Sequence, residues 1–124
     1  MTAQVHGQRI TNSSRSTTGY IESDGTIKNG SRATVGYIKS DGTIQNSSRS
    51  TIGYIESDGT IKNSSRTTVG RVYDDGTVKN SSSSIIGYVD DDGTVKNSSK
   101  STIGYAQGVE KKWAAVVYFF FEFN

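Results

Sequence analysis

The sequence contains no cysteine and no proline, and it has a single histidine among 124 residues. Without cysteine, neither a disulfide framework nor a thiolate metal site can form. Without proline, no residue interrupts a ladder of β-sheet hydrogen bonds for want of an N–H group. The one histidine, His6, has no cluster of ligands or catalytic partners around it, and no Ser-His-Asp set or phosphate loop is recognisable. We therefore expect no metal site, no cofactor and no enzymatic activity.

Excess charge and long apolar runs are also missing. Fourteen Lys and Arg nearly balance twelve Asp and Glu, leaving a net charge of +2, which argues against a nucleic-acid partner. Hydrophobic residues make up only 31% of the chain, less than a single thick core requires. The one apolar run, at 113–121, is shorter than the roughly 20 residues of a transmembrane helix. No secretory signal is recognisable at the N-terminus, and the localisation stays open.

A 17-residue repeat runs through most of the chain. Five complete units begin at Gly19, Gly36, Gly53, Gly70 and Gly87. Residues 7–18 match the second half of a unit, and a partial unit that begins at Gly104 breaks off at Gly108. A fixed period this short indicates one small supersecondary unit packed on copies of itself. The chain therefore divides into a leader, a repeat region and a C-terminal segment, at 1–6, 7–107 and 108–124.

Each unit contains two short runs of strand-forming residues separated by turn signals. In the third unit these turns are Asp58-Gly59 and Asn63-Ser64-Ser65. Two architectures fit: a β-solenoid with one coil per unit, or an array of β-hairpins. The asparagine in the Asn63 position never varies between units, and stacked asparagines can bond amide to amide in a solenoid. We therefore predict an all-β fold, a single β-solenoid of 17-residue coils, with the β-hairpin array as the alternative.

The Gly-Tyr-Ile, Asp-Gly-Thr-Ile and Asn-Ser-Ser segments of these units resemble those of bacterial short-repeat β-solenoid proteins, over residues 7–107. The resemblance implies a stacked β architecture and carries over no functional residue. A weaker similarity is to the hairpin repeats of bacterial cell-wall and choline-binding modules, which pair an aromatic after Gly with a polar-Gly turn but are richer in tryptophan.

A tyrosine follows the repeat glycine in most units, and Arg71 in that position indicates that the position is exposed. Exposed aromatic rows can stack on sugar rings or pack against a partner, whereas the structural alternative is that the rings stack on one another and shield the strands. The tyrosines are Tyr20, Tyr37, Tyr54, Tyr88 and Tyr105. Two hypotheses follow: a non-enzymatic structural or self-associating protein, or a polysaccharide-binding module that uses this tyrosine row.

The repeated aspartates have a simpler interpretation. One Asp-Gly in 17 residues is too sparse for a calcium site, which needs six to eight oxygen ligands. We expect these side chains to initiate turns.

The C-terminal segment holds the only tryptophan and all four phenylalanines. Read as a helix, one face carries Trp113, Val116, Val117, Phe120 and Phe121; a strand is the alternative, but Gly108 and Glu110 favour the helix. Such a helix would cover an open solenoid end. Tyr118, Phe119 and Phe123 would remain outside it, which predicts a homo-oligomer formed through this aromatic segment.

Overall fold

The structure, a computed structural model, describes residues 8–121. The strands are β1 (Gln8–Asn12), β2 (Thr17–Ile21), β3 (Thr26–Asn29), β4 (Thr34–Ile38), β5 (Thr43–Asn46), β6 (Thr51–Ile55), β7 (Thr60–Asn63), β8 (Thr68–Val72), β9 (Thr77–Asn80), β10 (Ile85–Val89), β11 (Thr94–Asn97) and β12 (Thr102–Tyr105). A short helix, α1 (Lys111–Ala115), continues into a π-helical turn at Val116–Phe120. Each strand pairs antiparallel with its sequence neighbours, and β1 also pairs with β12, which closes a barrel.

The β-solenoid prediction is wrong, and the hairpin array that was its alternative is correct. Asn46 and Asn63 end β5 and β7, with β6 between them. Equivalent residues are therefore two strands apart, or roughly 10 Å at the usual strand spacing, which is too far for an amide ladder. Instead, Asn63 Oδ1 accepts hydrogen bonds from the backbone N–H of Ser65 (2.9 Å) and Thr67 (3.0 Å). Its role in a turn explains why the asparagine does not vary.

Two turns alternate around the barrel, and both end in a residue with positive φ. At one end, the N–H of Gly59 donates to Glu56 O (2.9 Å), and Gly59 has φ +94°. At the other end, the N–H of Arg66 donates to Asn63 O (2.9 Å), and Arg66 has φ 66°. Glycine adopts this conformation freely, but a residue with a side chain loses about 1–2 kcal/mol in it. A contact made by the side chain at the arginine position can offset part of this cost.

Charge separates the two ends of the barrel. The acidic end consists of the Asp-Gly turns at 22–25, 39–42, 56–59, 73–76 and 90–93. The serine end consists of the loops at 13–16, 30–33, 47–50, 64–67, 81–84 and 98–101, which contain four arginines, one lysine and no carboxylate.

The barrel has six hairpin units, although the chain has only five uninterrupted repeats. Where β12 meets β1, Gly104 lies opposite Asn12 and Tyr105 opposite Thr11. Within the third repeat, Gly53 lies opposite Asn63 in the same register. The half-repeats at the two ends of the repeat region thus pair to form the sixth hairpin. The boundary between β1 and β12, called the seam below, closes the barrel without a covalent link.

The inner face of the barrel carries the isoleucine and valine columns. In the third repeat, Ile61 is completely buried and lies opposite Ile55, while Tyr54 points to the outer wall. A β-bulge between Ile44 and Gln45, repeated in equivalent strand pairs, shifts the register at this point. About eight strands enclose a space that side chains can fill, and twelve enclose a wider one. This barrel therefore needs an internal element.

That element is the C-terminal segment. Ala114, Ala115 and Val116 are completely buried and belong to the same apolar cluster as the inner-face isoleucines. The ammonium groups of Lys111 and Lys112 donate to the acidic-end carbonyls of Asp74 and Ser57 (3.1 Å each). The short C-terminal helix is confirmed, but it fills the barrel and does not cap an open end.

Four consecutive aromatic side chains cover the repeat glycines on the inner face. A Cβ atom added at any of these glycines would lie closer than 3.0 Å to a ring atom. The pairs are Tyr118 with Gly104, Phe119 with Gly87, Phe120 with Gly70 and Phe121 with Gly53. Successive residues thus reach successive hairpins. A π-turn, which rotates less per residue than an α-helix, suits this arrangement; its i+5 bond joins Phe121 N to Val116 O (3.1 Å).

These contacts alter the interpretation of the aromatic segment. Tyr118 and Phe119, which were expected to contact a second chain, contact the inner wall of their own barrel. Phe123 lies outside the described residues, as do His6 and the leader. The prediction of a homo-oligomer rested on an exposed aromatic surface. Tyr118 and Phe119 do not provide that surface, because they face the inside of the barrel.

Tyr118 joins the two strands of the seam. Its hydroxyl donates to Thr11 O (2.6 Å) on β1 and lies 3.2 Å from Tyr105 O on β12. Burial raises the pKa of Tyr118 to about 12, so the donating, neutral form persists at high pH.

We expect Tyr118→Phe to lower the free energy of unfolding by roughly 1–2 kcal/mol, because two carbonyls at the seam lose a donor. The folded pKa lies above the unfolded value of about 10, so this stabilisation is complete below pH 10 and is lost as the pH rises towards 12. Urea unfolding at pH 7 to 11.5 measures the difference between the wild type and the variant. Tyr37→Phe, on the outer wall, is the control; equal effects of the two substitutions would contradict the assignment.

Candidate functional site

The tyrosine row lies on the outer wall, half-buried, and a cation covers each ring. In the third repeat, the guanidinium carbon of Arg66 lies 4.2 Å from the centre of the Tyr54 ring. The other pairs are Arg15 with Tyr105 (3.9 Å), Arg32 with Tyr20 (4.3 Å), Arg49 with Tyr37 (4.2 Å) and Lys100 with Tyr88 (4.3 Å). The Arg15 pair spans the seam, so it joins the two halves of the sixth hairpin.

These cation–π pairs supply a compensating contact at the arginine position. A cation on an aromatic face contributes about 0.5–1 kcal/mol at an exposed site, which offsets much of the cost of the left-handed backbone. The ring face that a sugar would use is already occupied. The predicted sugar-binding residues therefore lie on one surface, and each ring is covered by a cation and not by a neighbouring ring.

Ion pairs neutralise the lysines that neighbour these tyrosines on the outer wall. Lys62, opposite Tyr54, pairs with Glu56 at 2.8 Å. The equivalent pairs are Lys28 with Glu22 (3.0 Å) and Lys96 with Asp90 (3.2 Å). In these repeats each outer-wall cation already has a partner from its own hairpin.

The repeated aspartates act as turn residues. Asp58 Oδ1 accepts a hydrogen bond from the Thr60 N–H (3.0 Å). Bonds from the side chain and backbone of Thr60 lower the pKa of Asp58, with a smaller contribution from the charge of Arg71. Four other aspartates make the same bond: Asp24, Asp41, Asp75 and Asp92. Between residues 8 and 121, no three His, Cys, Asp or Glu side chains converge as a metal site would require.

A cleft of about 250 Å³ opens at the acidic end, beside the start of α1. Trp113 lies on one side of it, and the turns at 39–42 and 56–57 lie on the other. Charges of both signs line the cleft, including Lys39, Asp41 and Lys112. Sequence reasoning missed this cleft because it forms only when the C-terminal segment returns into the barrel.

A second cleft, about 240 Å³, lies on the outer wall where the fourth repeat departs from the pattern. Arg71 replaces the tyrosine, Tyr73 replaces the acidic residue found in several other repeats, and Ser83 replaces the turn arginine. Together with Lys79 these residues line the cleft, called the fourth-repeat cleft below. Arg71 lies directly opposite Lys79 across β8 and β9. The sequence already indicated this cleft, because three positions of one repeat differ from the repeat pattern at once.

In the described part of the chain, no helix has the length and apolar character needed to cross a membrane. A family model described as 5-fold beta-flower protein matches residues 7–122, so the match includes both the repeats and the aromatic segment. No curated protein and no solved structure matches the chain.

Proposed function

The chain belongs to the 5-fold beta-flower family of β-repeat proteins, and on that premise we propose that it is a non-enzymatic structural module that presents a rigid outer wall. The observation that carries the proposal is the helix inside the barrel. Barrels wide enough to bind a ligand usually do so in the interior. Here Ala114, Ala115 and Val116 occupy that space without any exposure. The surfaces left for interaction are the outer wall and the two ends.

The construction of the outer wall supports a structural role for the tyrosine row. Each tyrosine is held by a cation from its own hairpin unit, as Tyr54 is by Arg66. A sugar that stacks on that ring would first have to displace the guanidinium. The arginine backbone would then remain in its left-handed conformation without the cation–π contact that offsets the cost. The row therefore stabilises the hairpins, and polysaccharide binding through it is disfavoured.

A double-mutant cycle on the third repeat tests this role. We expect Tyr54→Ala and Arg66→Ala each to lower the free energy of unfolding, with a coupling of about 0.5–1 kcal/mol. The matched control is Tyr54→Ala combined with Thr67→Ala, for which we expect no coupling. Urea unfolding provides the four free energies of each cycle.

The same preparations test the competing function. We expect the wild type to bind nothing on a glycan array and to elute as a monomer in chromatography with light scattering, because its aromatic segment is enclosed. Saturable glycan binding that Tyr54→Ala abolishes, without a stability coupling to Arg66, would overturn the structural role. A stable oligomer would restore the self-association that the sequence predicted.

A further inference from the structure

We propose that the fourth-repeat cleft binds an oxyanion, the sulfate or phosphate group of an ester. The first argument is that its two cations face each other. Arg71 lies directly opposite Lys79, and like charges in that relation destabilise a sheet. The equivalent neighbours elsewhere are tyrosine with lysine or glutamine: Tyr20 with Lys28, Tyr37 with Gln45, Tyr54 with Lys62 and Tyr88 with Lys96. An anion between the two cations would remove the repulsion.

The second argument is that the carboxylate partner of the lysine is missing. Lys62 is neutralised by Glu56, and the residue equivalent to Glu56 in the fourth repeat is Tyr73. Within residues 8–121, neither Arg71 nor Lys79 forms an ion pair with a carboxylate. Both cations lie 5.1 Å from the centre of the Tyr73 ring. The ring holds the two cations side by side, and the nearest acidic influence on Arg71, from Asp58, is not an ion pair.

The third argument is that the cleft is open. In the third repeat, Tyr54 and Arg66 stack together and cover the equivalent surface. In the fourth repeat the arginine is replaced by Ser83, an exposed residue at the serine end, where the loops carry no carboxylate. The planar guanidinium of Arg71 can bond two oxyanion oxygens at once, while Lys79 contributes a point charge. Thr60 and Thr68 also line the cleft.

The border of the cleft indicates an ester in preference to a free inorganic ion. Ile85 lies directly opposite Lys79 on β10, where the other four repeats have threonine. It is 42% exposed and is the only large hydrophobic residue in the described chain that is exposed to this degree. An exposed apolar side chain next to Lys79, just beyond the residues that line the cleft, suits a ligand that carries a carbon skeleton next to its anionic group.

Titration of the ¹⁵N-labelled chain with sodium sulfate, methyl phosphate and a phenyl phosphate ester tests the proposal, with sodium chloride at matched ionic strength as the reference. We expect saturable shifts confined to the amides of the cleft, and at least threefold tighter binding of the phenyl ester than of sulfate. The double variant Arg71→Tyr with Ser83→Arg restores the repeat pattern and should fold. We expect it to weaken ester binding at least tenfold.

Arg66→Ser is the matched control in a regular repeat, because it uncovers Tyr54 while the Lys62–Glu56 pair remains. We expect it to gain no oxyanion binding and to leave the fourth-repeat cleft unchanged. Shifts that chloride reproduces, or that survive in the Arg71→Tyr, Ser83→Arg variant, would overturn the proposal. Sulfate binding as tight as that of the phenyl ester would overturn the assignment of an ester.

Discussion

A chain that ends at Gly108 should lose cooperative folding altogether. Removing residues 109–124 removes Val116, which is completely buried, and the four rings that cover the repeat glycines. A fully buried apolar side chain contributes roughly 1.5–3 kcal/mol. Val116 and the four half-buried rings together contribute an amount comparable with the lower part of the roughly 5–15 kcal/mol that stabilises a typical domain. The inner isoleucines would then face a water-filled space.

Thermal unfolding and amide NMR dispersion of the truncated chain measure this effect. The double variant Lys111→Ala, Lys112→Ala is the control, since it removes only the contacts of α1 with the acidic end and should cost about 1 kcal/mol or less. A truncated chain with the wild-type unfolding midpoint would show that the strands hold the barrel without the helix. It would also remove the observation that carries the proposed function.

The substitution Gly87→Ala should destabilise the protein by roughly 3 kcal/mol, a large effect for one methyl group. The added carbon would lie 2.6 Å from the backbone carbonyl oxygen of Lys96 and even closer to the Phe119 ring. The carbonyl belongs to the neighbouring strand and cannot withdraw without breaking the register. Glycine is therefore required at position 87, because the Lys96 carbonyl and the Phe119 ring both occupy the space that a Cβ atom would need.

Two further variants separate these contributions. Gly30→Ala is the matched control, because its nearest neighbour would be Thr17 O at 3.5 Å, an ordinary contact; we expect a change within about 0.5 kcal/mol. Adding Phe119→Ala to Gly87→Ala should recover the part of the loss that the ring causes, seen as a favourable coupling in urea unfolding. Equal effects of Gly87→Ala and Gly30→Ala would mean that the aromatic segment does not contact this wall.

The sequence predicted the repeat, both turns and the all-β class, because these depend on local chemistry. Asp58-Gly59 and Asn63-Ser64-Ser65 form turns in either architecture. The choice between solenoid and hairpins depended on the hydrogen-bond partner of the constant asparagine. An amide ladder between coils and a turn within a hairpin both require asparagine at that position. The antiparallel pairing of β6 with β7 is local, but a 17-residue period fits this hairpin and a stacked coil equally well.

Closure of the barrel could have been predicted from the sequence. Residues 7–18 provide the second half of a repeat, and the segment that begins at Gly104 provides the first half. Two complementary halves at opposite ends of a repeat region predict a ring, since each leaves a strand without its partner. The reason for a glycine at the start of each repeat could not be predicted in the same way. It depends on where the rings of Tyr118 to Phe121 lie in space.

The seam also constrains the order of events during synthesis. Asn12 pairs with Gly104, so β1 has no partner on one side until β12 has been translated. Contacts between such distant parts of a chain form slowly, and unpaired strand edges in a nascent chain invite association with other chains. The five uninterrupted hairpins can form as they emerge, but the ring itself is completed only after translation of β12.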